Sequence, residues 1–250
     1  MIKLIKIIKL FKFLIINNNI KNIIPLFLWA IIVISSYFKI NFIISKLRPL
    51  KIDFHIFNKK IKGRVAHIGT IKEAIVEDGY KLDKKIKGDI IDIGANIGIS
   101  RLILEKYLSD NNKYICIEPD RNNVKLLKNN YPKSKIIPFA VSDKNGYEFF
   151  GETNTGITSR INNKSKNKIK VLSIDHIIKK SNLHPGLIKI DVEGSEISVI
   201  KGAINTLKRF KPIILIEIHK KDEYKYIKKI LYKLNYSKEK YKDNNIWQFN

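Results

Sequence analysis

The stretch Asp89-Ile-Ile-Asp-Ile-Gly-Ala-Asn-Ile-Gly98 joins a short apolar run to a pair of glycines. Its isoleucines occupy both sides of the run, which is typical of a parallel strand covered on both faces. Gly94 and Gly98 allow the backbone to turn sharply and to approach a ligand closely. Residues 99–108 have a helical pattern. The stretch therefore predicts a strand, a tight loop and a helix whose free N–H groups suit an anionic or polar ligand.

The spacing of this loop differs from that of a dinucleotide-binding fingerprint. A nicotinamide site has the pattern G-x-G-x-x-G, in which the second glycine makes room for the pyrophosphate. Here Asn96 stands at that position, and Asp92 precedes the loop. A carboxylate before the loop fits a ligand with an ammonium group, such as the amino-acid end of S-adenosylmethionine. The alternative is an ordinary strand-to-helix turn in some other α/β protein.

A second acid follows the next apolar run. Glu118 comes directly after Tyr114-Ile-Cys-Ile117. It stands about 20 residues beyond the loop, where an acid can accept hydrogen bonds from both ribose hydroxyls. Without the loop, Glu118 would be interpreted as a solvated residue at a strand end. After a third run, Asp143 or Ser142 could meet an adenine amino group, and Asp143 is equally well explained as a turn acid.

Apolar runs alternate with helical patterns from residue 71 onward. Strands are predicted at 89–93, 114–117, 136–139, 187–190 and 213–217, and helices at 71–82, 99–108, 122–130, 174–180, 196–210 and 224–234. Two more strands, 147–150 and 168–172, flank a polar loop, and a hairpin is predicted within 236–249. This alternation predicts an α/β fold with a parallel sheet and ligands at the carboxyl ends of its strands. Five acids lie at such ends: Asp92, Glu118, Asp143, Asp191 and Glu217.

The composition of the chain is strongly basic. Its 250 residues include 48 Lys or Arg and 23 Asp or Glu, which gives a formal charge of +25. Part of this charge is interpreted as compositional, and the rest would draw the protein toward anionic lipid, glycan or nucleic acid. The single cysteine, Cys116, excludes an internal disulfide framework and is compatible with a reducing compartment. The five histidines show no zinc-ligand spacing, so no metal is predicted.

Residues 1–50 are a basic and apolar arm with eight Lys or Arg and no acid. Residues 1–16 predict an amphipathic helix that suits a membrane interface. The uncharged run at 23–38 is shorter than the roughly 18–20 residues that cross a bilayer. We expect a cytoplasmic protein whose residues 1–46 dock on a membrane surface. The alternatives are a single membrane span through residues 23–38 and a helical pair that packs on the rest of the chain or on a dimer mate.

Four strings stand at the predicted strand ends: Asp92-Ile-Gly-Ala-Asn-Ile-Gly98, Ile117-Glu-Pro-Asp120, Phe139-Ala-Val-Ser-Asp143 and Leu187-Ile-Lys-Ile-Asp-Val-Glu-Gly-Ser-Glu196. Together they resemble the FkbM family of S-adenosylmethionine-dependent methyltransferases. The resemblance covers residues 71–249. It divides the chain into a helical N-terminal arm, residues 1–50, and an FkbM-like methyltransferase domain, residues 51–250.

This resemblance implies a class I methyltransferase fold, which is Rossmann-like. Such a fold has a seven-stranded, mostly parallel sheet with an antiparallel last strand and helices on both faces. The resemblance also implies O-methylation of a hydroxyl on a sugar, glycan or related small metabolite, with S-adenosyl-L-methionine as cosubstrate. By the same resemblance, Glu118 would hold the ribose and Asp143 would face the adenine. The methionine end would be held by Asp92, Gly94, Asn96 and Gly98.

Candidates for a base that removes the hydroxyl proton cluster after the fourth and fifth strands. His219 follows Glu217 by two residues, and an ordinary histidine pKa of about 6.5 suits a base at neutral pH. His219 is otherwise a loop histidine. Asp191 and Glu193 are candidates for the same role, or they shape the junction between cosubstrate and acceptor or cap the next helix. Lys189 is a further catalytic candidate, although its place inside a strand favours a structural pair with an acid.

Two other functions compete with this interpretation. A nucleic-acid methyltransferase would suit the charge of +25. However, Asp191-Val-Glu-Gly194 stands where enzymes that methylate base amines commonly have Asn/Asp-Pro-Pro-aromatic, and no aromatic-rich basic stripe is present. A non-catalytic, membrane-associated scaffold would have no need of the intact glycine loop and Glu118. We therefore expect a hydroxyl acceptor and no nucleic acid.

Overall fold

The computed structural model describes residues 23–76, 79–153, 157, 159–161, 165–218, 221–242 and 245–250. The predicted helix at 1–16, the candidate base His219 and the predicted hairpin tip Asp243-Asn244 lie outside these residues. The described chain begins with α1 (Ile23–Tyr37), α2 (Asn41–Leu47), β1 (Lys51–Ile56) and β2 (Lys59–Arg64). A 3-10 turn, Val65–His67, leads into α3 (Ile68–Val76).

The remaining elements alternate largely as the sequence predicts. In chain order they are β3 (Asp89–Ile93), α4 (Ile99–Leu104), β4 (Tyr114–Ile117), α5 (Arg121–Asn130), β5 (Lys135–Ile137), β6 (Ala140–Val141), β7 (Gly146–Gly151), β8 (Arg160–Ile161), β9 (Lys168–Leu172), α6 (Ile174–Ser181), β10 (Pro185–Ile190), α7 (Glu196–Lys201), α8 (Ile204–Phe210), β11 (Ile213–Glu217), α9 (Lys221–Lys233), β12 (Glu239–Tyr241) and β13 (Ile246–Phe249). A 3-10 turn, Glu105–Tyr107, extends α4.

Seven strands form one sheet in the order β12-β13-β11-β10-β3-β4-β5. Neighbouring strands from β11 to β5 are parallel, and β13 is antiparallel to both of its neighbours. This arrangement confirms the predicted class I methyltransferase fold with its antiparallel last strand. The order reverses direction between β3 and β10, which makes their carboxyl ends a topological switch point, where open α/β sheets bind ligands.

Alternate residues of the central strands point into two separate cores. Ile91 and Ile188 face the side covered by α6 to α9. Ile90 and Leu187 face the side covered by α1, α3, α4 and α5. Every residue of β3 and β4 is buried, as expected for a parallel sheet with helices on both faces.

The hairpin of β1 and β2 was not predicted from the sequence. Phe54 and Ile61 pair across it and are both buried in the core on the α3 side of the sheet. Ile32 of α1 belongs to the same core, so one side of this helix packs on the domain. Within the described ranges, no helix is long and apolar enough to cross a bilayer.

Four short strands form a second, smaller sheet. β7 and β9 pair antiparallel, as predicted, and β6 and β8 extend them in the order β6-β9-β7-β8. Ser173 caps α6, since its side chain accepts a hydrogen bond from the His176 N–H.

The predicted helix at 196–210 is wrong as one element, because it is broken into α7 and α8 at Gly202 and Ala203. Gly202 packs against the end of β6, where an added Cβ would lie 2.2 Å from the carbonyl oxygen of Ser142. The predicted helix at 71–82 is also displaced, since α3 occupies Ile68–Val76. Tertiary contacts decide both of these boundaries.

Gly94 provides a test of the close contact between the carboxyl ends of β3 and β10. Its φ is +75°, and an added Cβ would lie 1.7 Å from the carbonyl oxygen of Asp191. We expect Gly94→Ala to lower the free energy of unfolding by about 3 kcal/mol or more, because the residue is strained and the contact is with backbone. Gly69→Ala is the matched control, since a Cβ there meets nothing within 4 Å.

The control substitution should raise the free energy of unfolding by about 0.5 kcal/mol, because alanine favours the helix. Denaturant titration of both variants measures the difference. Equal stabilities of Gly94→Ala and the parent protein would show that the contact between Gly94 and Asp191 tolerates a side chain.

Candidate active site

A cavity opens at the carboxyl ends of β3, β4, β10 and β11. Its lining residues enclose about 970 Å³, counting the open mouth. Three of the predicted cosubstrate residues line it: Gly94, Asn96 and Glu118. Asp191, Glu193 and Glu217 line it as well. The cavity thus brings together acids from the carboxyl ends of three strands, β4, β10 and β11.

Asp92 and Gly98 do not line this cavity, although the sequence predicts both at the methionine end. Gly98 has a φ of +90° and packs under Tyr131, whose hydroxyl donates to the Gly98 carbonyl at 2.9 Å. Asp92 is fully buried, and its Oδ2 accepts from Ser100 Oγ at 2.5 Å and from Tyr114 OH at 2.9 Å. Both residues therefore stabilise the conformation of the glycine loop without lining the cavity.

Lys189 of β10 lies beside Asp92 in the sheet. Its Nζ is 3.3 Å from Asp92 Oδ1 and 3.3 Å from Asp191 Oδ2, and it donates to the Gly94 carbonyl at 2.8 Å. Burial alone would lower the pKa of Lys189, but the charges of Asp92 and Asp191 outweigh burial and raise this pKa well above its ordinary value. Lys189 is therefore a protonated cation that ties two strand ends together, a geometry that suits positioning rather than proton abstraction.

Glu118 is held by donors from two loops. Its Oε2 accepts from the Asn96 N–H at 2.8 Å, and its Oε1 accepts from the Asp120 N–H at 2.9 Å. Burial raises the pKa of Glu118 to about 7, and these two hydrogen bonds oppose the shift. The carboxylate is therefore fixed in direction at the cavity wall and changes charge near neutral pH.

The pKa of Glu118 predicts a pH-dependent affinity for S-adenosylmethionine. If the ionised carboxylate accepts the ribose hydroxyls, binding should strengthen by up to about tenfold from pH 6 to pH 8, because a group with a pKa of about 7 loses its proton over that interval. Titration calorimetry at several pH values measures this. Glu118→Gln should bind more weakly and with a flatter profile.

Asp110→Asn is the control for that experiment, since Asp110 is exposed and lies between α4 and β4, outside the cavity lining. It should keep the pH profile of the parent protein. An unchanged slope in Glu118→Gln would remove the ribose assignment.

His67, which the sequence analysis missed, supports Asn96 from behind. Its Nδ1 accepts from the Arg64 N–H at 2.9 Å, so the ring proton is on Nε2, which donates to Asn96 Oδ1 at 3.1 Å. Burial, followed by the nearby Arg64 charge, lowers the pKa of His67 to about 4, so the ring stays neutral at physiological pH. Asn96 has a φ of +50°, and this contact turns its Nδ2 amide away from His67.

Removal of the His67 contact should weaken cosubstrate binding. We expect His67→Ala to raise the Kd for S-adenosylmethionine by about tenfold, the value of one hydrogen bond that orients Asn96. His67→Gln should recover part of this loss, because its amide N–H can donate to Asn96. Calorimetry gives the affinities, and thermal unfolding separates them from stability.

The matched control is Ile68→Ala, at a buried neighbour in the same core. It should lower stability without changing the Kd of the folded protein. Equal Kd values for His67→Ala and Ile68→Ala would limit His67 to a packing role.

A tyrosine that the sequence analysis also missed lines the cavity together with the acids at the ends of β10 and β11. Tyr80 lines the cavity near Asp191 and Glu217, and its ring centroid is 5.9 Å from Lys189 Nζ. Burial raises the pKa of Tyr80 well above its ordinary value, so its hydroxyl stays protonated and can donate a hydrogen bond. Glu193 has a φ of +57° in the turn after β10.

Asp143 is exposed and lies outside this cavity. It accepts a hydrogen bond from Ser142 Oγ at 3.3 Å, and the neighbouring residues Ala140 and Val141 line the cavity in its place. This position does not favour the predicted adenine contact. The sequence around Asp143 did not indicate in which direction the chain turns after this short strand.

Residues 92–241 match the methyltransferase FkbM domain, a stretch of more than half the chain. The chain belongs to the FkbM methyltransferase family. This membership confirms the predicted resemblance. The matched domain is a methyltransferase domain whose cosubstrate is S-adenosylmethionine.

Three comparisons describe its relatives. The chain is 26% identical over 166 residues to hexuronic acid methyltransferase AglP of Haloferax volcanii. The aligned region covers 63% of this chain and 67% of AglP. It resembles the methyltransferase FkbM of Methylobacillus flagellatus KT with 23% identity and a TM-score of 0.49, over 68% of this chain and 45% of that one. For the precorrin-6y C5,15-methyltransferase of Geobacter metallireducens GS-15 the identity is 13% and the TM-score 0.40, over 71% of this chain and 85% of that one. This FkbM-family chain thus spans less than half the length of the M. flagellatus protein.

Proposed function

We propose that this protein methylates a hydroxyl oxygen of a sugar, glycan or related metabolite. The observation that carries the proposal is the polar end of the cavity, where Asp191, Glu193 and Glu217, at the ends of β10 and β11, line it together with Tyr80. Carboxylates and a phenol are suited to hold several hydroxyl groups at once. The name of the H. volcanii relative, a hexuronic acid methyltransferase, supports the sugar class.

The other end of the cavity fits the cosubstrate. In the proposed arrangement, the backbone at Gly94 and the Asn96 amide hold the methionine end, and Glu118 accepts from the ribose. Ile117, Phe139 and Val141 form an apolar wall on which a flat purine can lie. S-adenosylmethionine supplies an activated methyl group when it is bound.

The acceptor hydroxyl needs alignment and a place for its proton. Alignment can lower the barrier by up to about 7–11 kcal/mol, and a base can contribute about 10²–10⁴-fold. We assign the proton to the carboxylate of Asp191 or Glu193, which follow β10 at the cavity. Lys189 positions Asp191 through their contact of 3.3 Å. His219 stays a prediction, since it lies outside the described residues.

A nucleic-acid acceptor is the second candidate, favoured by the charge of +25. Three carboxylates at the polar end of the cavity would repel the phosphates that flank a target base. Two observations oppose a non-catalytic scaffold. The chain belongs to a methyltransferase family, and hydrogen bonds from the Asn96 and Asp120 N–H groups fix the carboxylate of Glu118. A hydroxyl acceptor is compatible with a cavity that is lined by acids.

Methyl transfer to candidate acceptors tests the proposal. The full-length protein, supplied with S-adenosylmethionine labelled in its methyl group, should label sugars or cell-envelope glycans and leave bulk RNA unlabelled. Because ethers survive mild base and methyl esters release methanol, base-stable label in the sugar is expected for a hydroxyl acceptor. Label in RNA alone would overturn the proposal, and base-labile label would assign the methyl group to a carboxylate.

Matched variants connect that activity to the acids. Asp191→Asn or Glu193→Gln should lower kcat by about 10²-fold or more, the usual contribution of a general base. Affinity for S-adenosylmethionine should change little. The exposed Asp110→Asn serves as the control with unchanged activity. Full activity in both acid variants would exclude the assigned bases.

A further inference from the structure

Helix α1 is apolar around its whole circumference. Its sequence, IIPLFLWAIIVISSY, has no charged residue. One side packs on the protein, where Pro25, Ile32 and Ser35 are buried, and Leu28 and Trp29 pack against the core. These positions recur with helical spacing and therefore form one face of the helix.

The opposite side of α1 is apolar and exposed. Ile24, Phe27 and Ile34 have exposed fractions of 69%, 65% and 56%, and Phe42 in α2 reaches 72%. Of the thirteen large apolar or aromatic side chains that are exposed in the described ranges, seven lie within residues 24–50. A helix that is hydrophobic all round is normally covered on every side, and an exposed apolar patch of this kind marks a docking surface.

Positive charge surrounds this exposed face. Lys39, Lys46 and Arg48 are exposed beside it, and Lys46 Nζ lies 5.8 Å from the centroid of the Phe42 ring. The first 50 residues contain eight Lys or Arg and no acid. A second copy that docked arm to arm would bring like charges together without a compensating acid, whereas an anionic surface would complement them.

We propose that α1 and α2 dock on the surface of a membrane that contains anionic lipid. Ile24, Phe27, Ile34 and Phe42 enter the boundary between headgroups and acyl chains, and the neighbouring basic residues contact the headgroups. The described part of α1 has no charged residue, and its buried side packs along the domain. We therefore place it in the plane of the interface.

Vesicle flotation of the full-length protein tests this surface. Vesicles of equal parts phosphatidylglycerol and phosphatidylcholine should carry the protein, and vesicles of pure phosphatidylcholine should carry at least tenfold less. Added salt should weaken the binding. Equal partition into both vesicles would overturn the anionic assignment, and no partition into either would overturn the docking surface.

Paired variants locate the contact. Phe27→Ser with Phe42→Ser should lower partition into the anionic vesicles at least tenfold, because burial of each aromatic ring is lost. The matched control is Tyr226→Ser with Tyr232→Ser, which removes two exposed rings from α9 and should leave partition unchanged. Thermal unfolding and binding of S-adenosylmethionine verify that all variants are folded.

Two results would assign another occupant. Full partition of the Phe27→Ser, Phe42→Ser variant would place the lipid contact elsewhere, for example on residues 1–22. A dimer in solution that the same variant dissociates, without partition into vesicles, would make a second copy the occupant. Either result overturns the proposal without affecting the methyltransferase activity.

Discussion

The buried contacts of Lys189 are the constraint on which the rest of the site depends. They join the carboxyl ends of β3 and β10, which lie side by side although Lys189 and Gly94 are 95 residues apart in the chain. A buried ion pair adds little net stability, but the loss of one partner leaves an uncompensated charge. The pairing of Lys189 with Asp92 and Asp191 therefore specifies how the two strand ends meet at the switch point.

The segment before the family domain completes the glycine loop. His67 contacts Asn96, and the Asn130 amide donates to the carbonyls of Lys62 and Ile97. The loop is thus held between Glu118 on one side and residues 62–67 on the other. Because residues 62–67 precede the matched range of 92–241, the contacts that hold the loop include part of the chain outside the family match.

The parallel core was predictable because its signals are local and periodic. β3, β4 and β11 coincide closely with apolar runs between turn residues. β2 was missed, since Lys59-Lys-Ile-Lys62 has the composition of a solvated charge run and only Ile61, Gly63 and Arg64 of the strand are buried. The break between α7 and α8 was also missed, because the pattern of 196–210 is helical throughout and the close approach of Gly202 to Ser142 is a tertiary contact.

The sequence by itself determined the strand, loop and helix around Gly94. It also determined the order along the chain of the main strands and helices, and the acids at the strand ends. Only the tertiary structure decided where those acids point. Glu118 faces the cavity because the Asn96 N–H holds it, and Asp92 turns inward because Lys189, Ser100 and Tyr114 hold it. Backbone periodicity sets the position of a strand end, but the direction of its side chain depends on partners from distant parts of the chain.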